Sequence, residues 1–291
     1  TQLLVFFMIL KKFILVLLIS LLSTACSPFK AADILSPYSG YTVTKDLPYG
    51  KLHRQTLDVY TPTGKLASED IIIFIYGGSW TSGEKSNYRF IAQPFAEAGF
   101  KTILPNYRLY PEVKFPEFVA DTAKAVAWVY RKQSKRKPSK IILIGHSAGA
   151  HIAALIALNP HFLEAEGLSR SIIKAWVSLA GPLAFNPLNT KSTRPIFETV
   201  RDNIKQAQPI NFATKDSPPG ILFHGKDDIT VYEKNSIVMA KILKENGNKV
   251  VQKSFDDLGH IGLLLSIAGS GLFEIDLRNE IIKSLAELSK Y

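Results

Sequence analysis

The sequence has a single cysteine, Cys26, so no disulfide framework is available to staple the fold. It has no internal repeat and no low-complexity block, which excludes a repeat architecture. No nucleic-acid-binding motif accompanies the net charge of +10, and no aromatics interleave with the basic residues, so nucleic acid is not the expected partner. The one dense basic run, 131–137, reads as a solvated helix end and loop; attraction to an anionic membrane or polysaccharide is the lesser reading. Long hydrophobic runs are scarce as well. The apolar stretch 13–22 is too short, and too soon followed by polar sequence, to make a stable spanning helix. What is present is 291 residues, 46% hydrophobic and 21% charged, enough to build one large core in a single α/β domain.

The N-terminus has the layout of an export signal. Met8-Ile9-Leu10-Lys11-Lys12 gives a short basic start, residues 13–22 an apolar region, and Ser23-Thr24-Ala25 a run of small residues before Cys26. This resembles a bacterial lipobox, with Ser23 where Leu is commoner and Met8 as the candidate start. The expectation is that residues 1–25 are a lipoprotein-type signal peptide and that Cys26 carries lipid. Residues 26–40 then form a tether, and 41–291 a catalytic domain. The protein would be exported and membrane-anchored, in the periplasm or at the outer membrane, a destination that Ser27 permits. An ordinary cleaved signal with a free cysteine is the alternative.

The rest is organised around residues 141–154. Ile141-Ile142-Leu143-Ile144 fits a strand buried on both faces, breaks into Gly145-His146-Ser147-Ala148-Gly149, and continues into a helix-forming, Ala-rich run. This is the strand–turn–helix context of a nucleophile elbow. Side chains flanking the strained serine turn would collide with neighbouring backbone, which accounts for the two glycines. Strands are expected at 55–60, 70–76, 101–107, 141–144, 175–180, 220–224 and 249–255. Helical patterns fall at 90–98, 118–131, 148–158, 232–246 and 274–289. Alternating strand and helix predicts a mostly parallel central sheet covered on both faces. Residues 185–214 fit neither period and read as a cap insertion or substrate wall over the site.

A serine hydroxyl needs a positioned base, and the base a carboxylate to orient it. Downstream of the elbow, His161 comes too early, and His224 ends an apolar strand and is expected to pack under the acid loop. His260, in the glycine-flanked loop Asp257-Leu258-Gly259-His260-Ile261-Gly262 after the last strand, is the candidate base. Before it, His224-Gly225-Lys226-Asp227-Asp228-Ile229-Thr230-Val231 holds the acid. The pattern His-Gly-x-x-Asp-x-x-Val selects Asp228, leaving Asp227 as a turn residue. The oxyanion needs amide donors. Tyr76-Gly77-Gly78-Ser79-Trp80 directly follows a buried strand, which assigns the amides of Gly78 and Ser79, with that of Ala148 after the nucleophile. Trp80 and Tyr107 are equally readable as site wall and as core.

These pieces resemble the α/β-hydrolase esterases of the hormone-sensitive-lipase and kynurenine-formamidase-like groups, from about Gln55 to the C-terminus. Ser82-Gly83-Glu84-Lys85, Asn106-Tyr107-Arg108-Leu109-Tyr110-Pro111-Glu112, Phe115-Pro116, Asp121 and Trp128 add to the resemblance. It implies an α/β-hydrolase fold and hydrolysis of a small carboxylic ester through an acyl-Ser147 intermediate, with no metal or organic cofactor. It also implies that Arg108, Glu112 and Asp121 are buried support. The family usually has His at the position of Tyr76, a departure that bears on loop geometry and substrate choice. An arylformamidase or other amidase on the same triad is the alternative chemistry. A non-catalytic binding protein on the same fold is the alternative class.

Overall fold

The computed structural model describes residues 28–133, 139–268 and 273–290. The segment expected to be a signal peptide, Cys26 and most of the basic run lie outside the described residues. Eight strands are present: β1 (Tyr41–Pro48), β2 (Thr56–Pro62), β3 (Ile71–Ile75), β4 (Thr102–Pro105), β5 (Ile141–His146), β6 (Ile173–Leu179), β7 (Gly220–Gly225) and β8 (Val250–Phe255). They form one sheet in the order β1-β2-β4-β3-β5-β6-β7-β8. From β4 to β8 every pairing is parallel, while β1 with β2 and β2 with β4 are antiparallel.

The central strands read as unbroken apolar runs because helices cover both faces. Every residue of β3 and β5 is buried. The helices are α1 (Pro28–Leu35), α2 (Arg89–Glu97), α3 (Glu117–Gln133), α4 (Ala148–Leu158), α5 (His161–Glu164), α6 (Lys234–Glu245), α7 (His260–Leu265) and α8 (Leu277–Leu288). Helix α4, the elbow helix, is buried at every position and therefore apolar all round. Residues 185–214 contain no strand or α-helix. Three 3₁₀ segments, Pro187–Asn189, Glu198–Ala207 and Pro209–Phe212, account for the absent period.

Two elements depart from the sequence reading. Strand β1 gave no alternating signal because nearly all of its residues are exposed or half-buried; it is an edge strand held by pairing to β2. Residues 26–40 are expected to be a tether, yet Pro28–Leu35 form α1. Phe29 stacks on Tyr88 and Phe90, and the Asp33 carboxylate accepts from the Phe90 amide at the start of α2. Arg89, itself buried, donates to the carbonyls of Ser36 (2.8 Å), Pro37 (2.7 Å) and Asp33, and its guanidinium lies 3.6 Å from the centre of the Tyr38 ring. A polar composition concealed one half-buried aromatic anchor and one buried cation satisfied by three carbonyls. Replacing Arg89 with Ala leaves these acceptors without their donor. It is expected to lower stability by about 2 kcal/mol and to expose residues 28–40 to limited proteolysis, checked by thermal melting and by mapping the first cleavage site.

Candidate active site

The site lies at the C-terminal ends of β3, β5 and β7. Ser147 occupies the turn between β5 and α4 at φ 54°, ψ −123°, a conformation that an L-residue adopts at a cost of about 1–3 kcal/mol. Packing enforces it. A Cβ on Gly149 would stand 2.0 Å from the Ile75 carbonyl oxygen, and one on Gly145 would stand 2.3 Å from the Gly149 carbonyl oxygen. The elbow backbone is thus pressed against β3 with no space for side chains, and Ser147 is left half-exposed at the first residue before the helix.

The candidate acid and base come from the ends of β7 and β8. His260 Nδ1 donates to Asp228 Oδ2 at 2.7 Å. Asp228 is buried, and its Oδ1 accepts from the amides of Thr230 (2.9 Å) and Val231 (2.8 Å). Burial alone would raise its pKa, but the hydrogen bonds from His224 and His260 outweigh burial and hold the carboxyl well below the usual carboxylate range. Asp227 faces solvent. His224 packs under this loop, buried, with Nε2 2.6 Å from the Val231 carbonyl and Nδ1 2.8 Å from Ser236 Oγ. With its Nδ1 proton committed to Asp228, a neutral His260 carries its lone pair on Nε2.

The loop after β3 is built on left-handed backbone. Gly78, Ser79 and Trp80 have φ of 114°, 52° and 60°, and a Cβ on Gly78 would stand 2.2 Å from the Ser82 carbonyl oxygen. Among the described residues, the amides of Gly78, Ser79 and Ala148 donate to no protein acceptor. Behind them, Tyr76 takes the position where the family usually has His. It is buried between the rings of Tyr88 and Tyr107, at 5.3 and 4.7 Å. Its hydroxyl accepts from Arg54 Nη2 (2.9 Å) and donates to Asn106 Oδ1 (2.9 Å). Burial pushes the Tyr76 pKa up to about 12, so it stays a neutral phenol. Tyr107 belongs to this core and donates to the Tyr76 carbonyl at 2.8 Å. Arg108 and Asp121 form a paired, bidentate support at 2.8 Å, whereas Glu112 is exposed and Glu117 takes the outer nitrogen of Arg108.

A cavity of about 820 Å³ opens over Ser147. One wall is aromatic: Trp80 stacks on Phe185 at 5.9 Å and meets Phe197 edge-on at 4.9 Å. Another wall is polar, with Asn186, Asn189, Thr190 and Thr193 of the 185–214 segment facing Thr230 and Asn235. Among the described residues no group of three or more His, Cys, Asp or Glu side chains is placed to hold a metal ion.

The BD-FAE family model matches residues 57–243. The chain belongs to the BD-FAE family. Among its relatives, the isoprenylcysteine alpha-carbonyl methylesterase of Arabidopsis thaliana is 27% identical over 245 residues, 77% of this chain and 57% of that protein. The kynurenine formamidase of Drosophila melanogaster is 25% identical, covering 79% of this chain and 78% of that protein. Thermogutta terrifontis esterase 2 is a structural neighbour with a TM-score of 0.62, 28% identical, over 77% of this chain and 86% of its own. The chain spans little more than half the length of the methylesterase relatives it matches. The fold shared by this BD-FAE chain and its neighbours is the α/β-hydrolase fold, as the resemblance implied.

Two buried histidines beside the site give a pH dependence to stability. Burial lowers His146 to about 3 and His151 to about 4, from 6.5. Between pH 6.5 and 4 the unfolded chain binds protons that the folded chain refuses, so stability is full above 6.5 and falls as pH drops. Each histidine costs on the order of 2 kcal/mol at pH 5. Thermal midpoints measured from pH 7 to pH 4.5 are expected to fall steadily below pH 6.5.

Proposed function

We propose that this protein is a serine hydrolase that cleaves small carboxylic esters. The observation that carries the reading is the elbow serine in its strained conformation, together with the 2.7 Å bond from His260 to a buried Asp228. His260 Nε2 accepts the Ser147 proton as Oγ attacks the ester carbonyl. The carbonyl oxygen becomes an oxyanion received by the amides of Gly78, Ser79 and Ala148, each worth about 3 kcal/mol in comparable sites. Imidazolium His260 then protonates the departing alcohol, leaving acyl-Ser147. Water attacks the acyl carbon and gives its proton to His260, and collapse releases the acid and restores the Ser147 hydroxyl. Asp228 stays ionised throughout, holding the imidazole tautomer and countering its charge.

Trp80 and Phe185 stand beside Ser147, so we assign the aromatic wall to a short acyl group and the polar wall to the alcohol. The formamidase relative, matched over most of its own length, keeps a formamide as the alternative substrate. We further propose that Cys26 is lipidated and anchors the exported chain. The pattern of residues 8–26 supports this.

A panel of nitrophenyl esters from acetyl to palmitoyl, with N-formylkynurenine beside it, tests the reading. Turnover is expected on the short esters and is expected to vanish in Ser147→Ala. Asp228→Asn should lower kcat about 10⁴-fold by allowing the wrong tautomer, while Asp227→Asn should leave it within a small factor; the reverse order would move the acid. Turnover confined to N-formylkynurenine would replace the ester reading with the formamidase one. In a bacterial host, labelled palmitate should enter the wild-type chain and not Cys26→Ser; an unlabelled wild type would sink the anchor.

A further inference from the structure

We propose that His146 is a positioning residue that ties the main chain of the base, His260, to the nucleophile elbow. The inference rests on the serine-hydrolase reading. His146 is the last residue of β5, directly before Ser147, and is buried. Its Nε2 lies 3.0 Å from the His260 carbonyl oxygen, 114 residues away in sequence. A carbonyl can only accept, so the proton sits on Nε2 and the neutral ring leaves Nδ1 bare. The two imidazoles pack with centroids 4.7 Å apart and planes at 43°. On its other side, the same residue meets the strand leading to the oxyanion amides. A Cβ on Gly77 would stand 2.9 Å from the His146 carbonyl oxygen and 3.3 Å from its Nδ1.

One side chain therefore touches the oxyanion segment, adjoins the nucleophile and holds the base. The base needs such a tie. Asp228 grips only Nδ1 of His260, and a ring pinned at one atom can still swing about that bond. The backbone of His260 begins α7 after Gly259, with Gly262 following, and no side chain caps the helix. The hydrogen bond from His146 fixes that backbone relative to the residue beside Ser147, and so sets the distance over which the proton moves. A displacement near 1 Å at such a place costs about 10²-fold in rate. The ring must also remain uncharged, because a second imidazolium against His260 would oppose protonation of the base. Burial keeps it so.

The test compares His146→Phe, which keeps a ring and loses the donor, with His146→Gln, which keeps a donor at similar reach. In the short-ester assay, His146→Phe is expected to lose at least 10-fold in kcat with KM little changed, and His146→Gln to recover most of that loss. Full kcat in His146→Phe, or equal loss in both variants, overturns the proposal. The second readout needs no substrate. In ¹⁵N-histidine spectra the proton between His260 and Asp228 should give a downfield resonance in the wild type and in His146→Gln, broadened or shifted in His146→Phe. An unchanged resonance in His146→Phe also overturns it. A wild type without Ser147-dependent turnover would remove the hydrolase reading, and the spectra would still decide whether His146 holds His260.

Discussion

The whole site depends on one close approach of backbone to backbone. Helix α4 can begin where it does only because Gly149 lets the elbow lie against the Ile75 carbonyl, with Gly145 clearing the turn from the other side. That contact places β3 and β5, neighbours in the sheet, so that the loop leaving one and the turn leaving the other share a single space. The positive φ of Ser147 follows from it, as does the juxtaposition of the Ala148 amide with those of Gly78 and Ser79. Strain of about 1–3 kcal/mol at one residue is affordable because a buried sheet and an entirely apolar helix surround it.

The loop that carries the candidate oxyanion donors is supported by a polar cluster rather than by apolar packing alone. Arg54 donates to the Tyr76 hydroxyl, to the Tyr107 carbonyl at 2.8 Å and to the Gly83 carbonyl at 2.7 Å, closing the loop at both ends. Asn106 Oδ1 accepts from Tyr76 and from the Lys85 amide, so the segment beyond the loop is bound to the same group. A histidine in place of Tyr76 could not stack equally on Tyr88 and Tyr107 while reaching Asn106. The tyrosine therefore goes together with its neighbours, and the departure from the usual family residue is compensated within this chain. A loop with three consecutive positive-φ residues needs that support, since such a backbone has no regular hydrogen-bonding pattern of its own.

Much of this was legible in the sequence, for physical reasons. Strands buried on both faces advertise themselves as unbroken apolar runs, and the elbow announces itself because sterics there admit only glycine. Asp228 could be separated from Asp227 by the spacing His-Gly-x-x-Asp-x-x-Val, and the structure buries Asp228 while Asp227 faces water. What stayed hidden had no periodic or compositional signal. Strand β1 is exposed, so alternation is absent. Helix α1 is docked by one aromatic and one arginine, which a local window cannot see. Glu112 sits in a motif associated with buried support, yet it is exposed, and Asp121, named with it, is the carboxylate that pairs with Arg108. His146 read as the variable residue of the elbow, because a bond spanning 114 residues leaves no trace in local pattern.

On the proposed mechanism, one histidine differs from the other three near the sheet's C-terminal edge in the partners of its ring. His146, His151 and His224 each place a ring nitrogen against a backbone carbonyl, of His260, Ala207 and Val231 respectively, and each is buried; His224 Nε2 also lies 3.3 Å from Asp228 Oδ2. A carbonyl partner demands an N–H and fixes the tautomer, and for His146 and His151 burial further disfavours the charged form. His260 differs on both counts. It is only half-buried, and the partner of its Nδ1 is the Asp228 carboxylate. Asp228 can serve in this way because its other oxygen is saturated by two amides, so its charge persists without drawing a proton from the base. On the serine-hydrolase reading, the histidine that is not sealed against a main-chain carbonyl through its ring, His260, is the one whose Nε2 is left to take the proton.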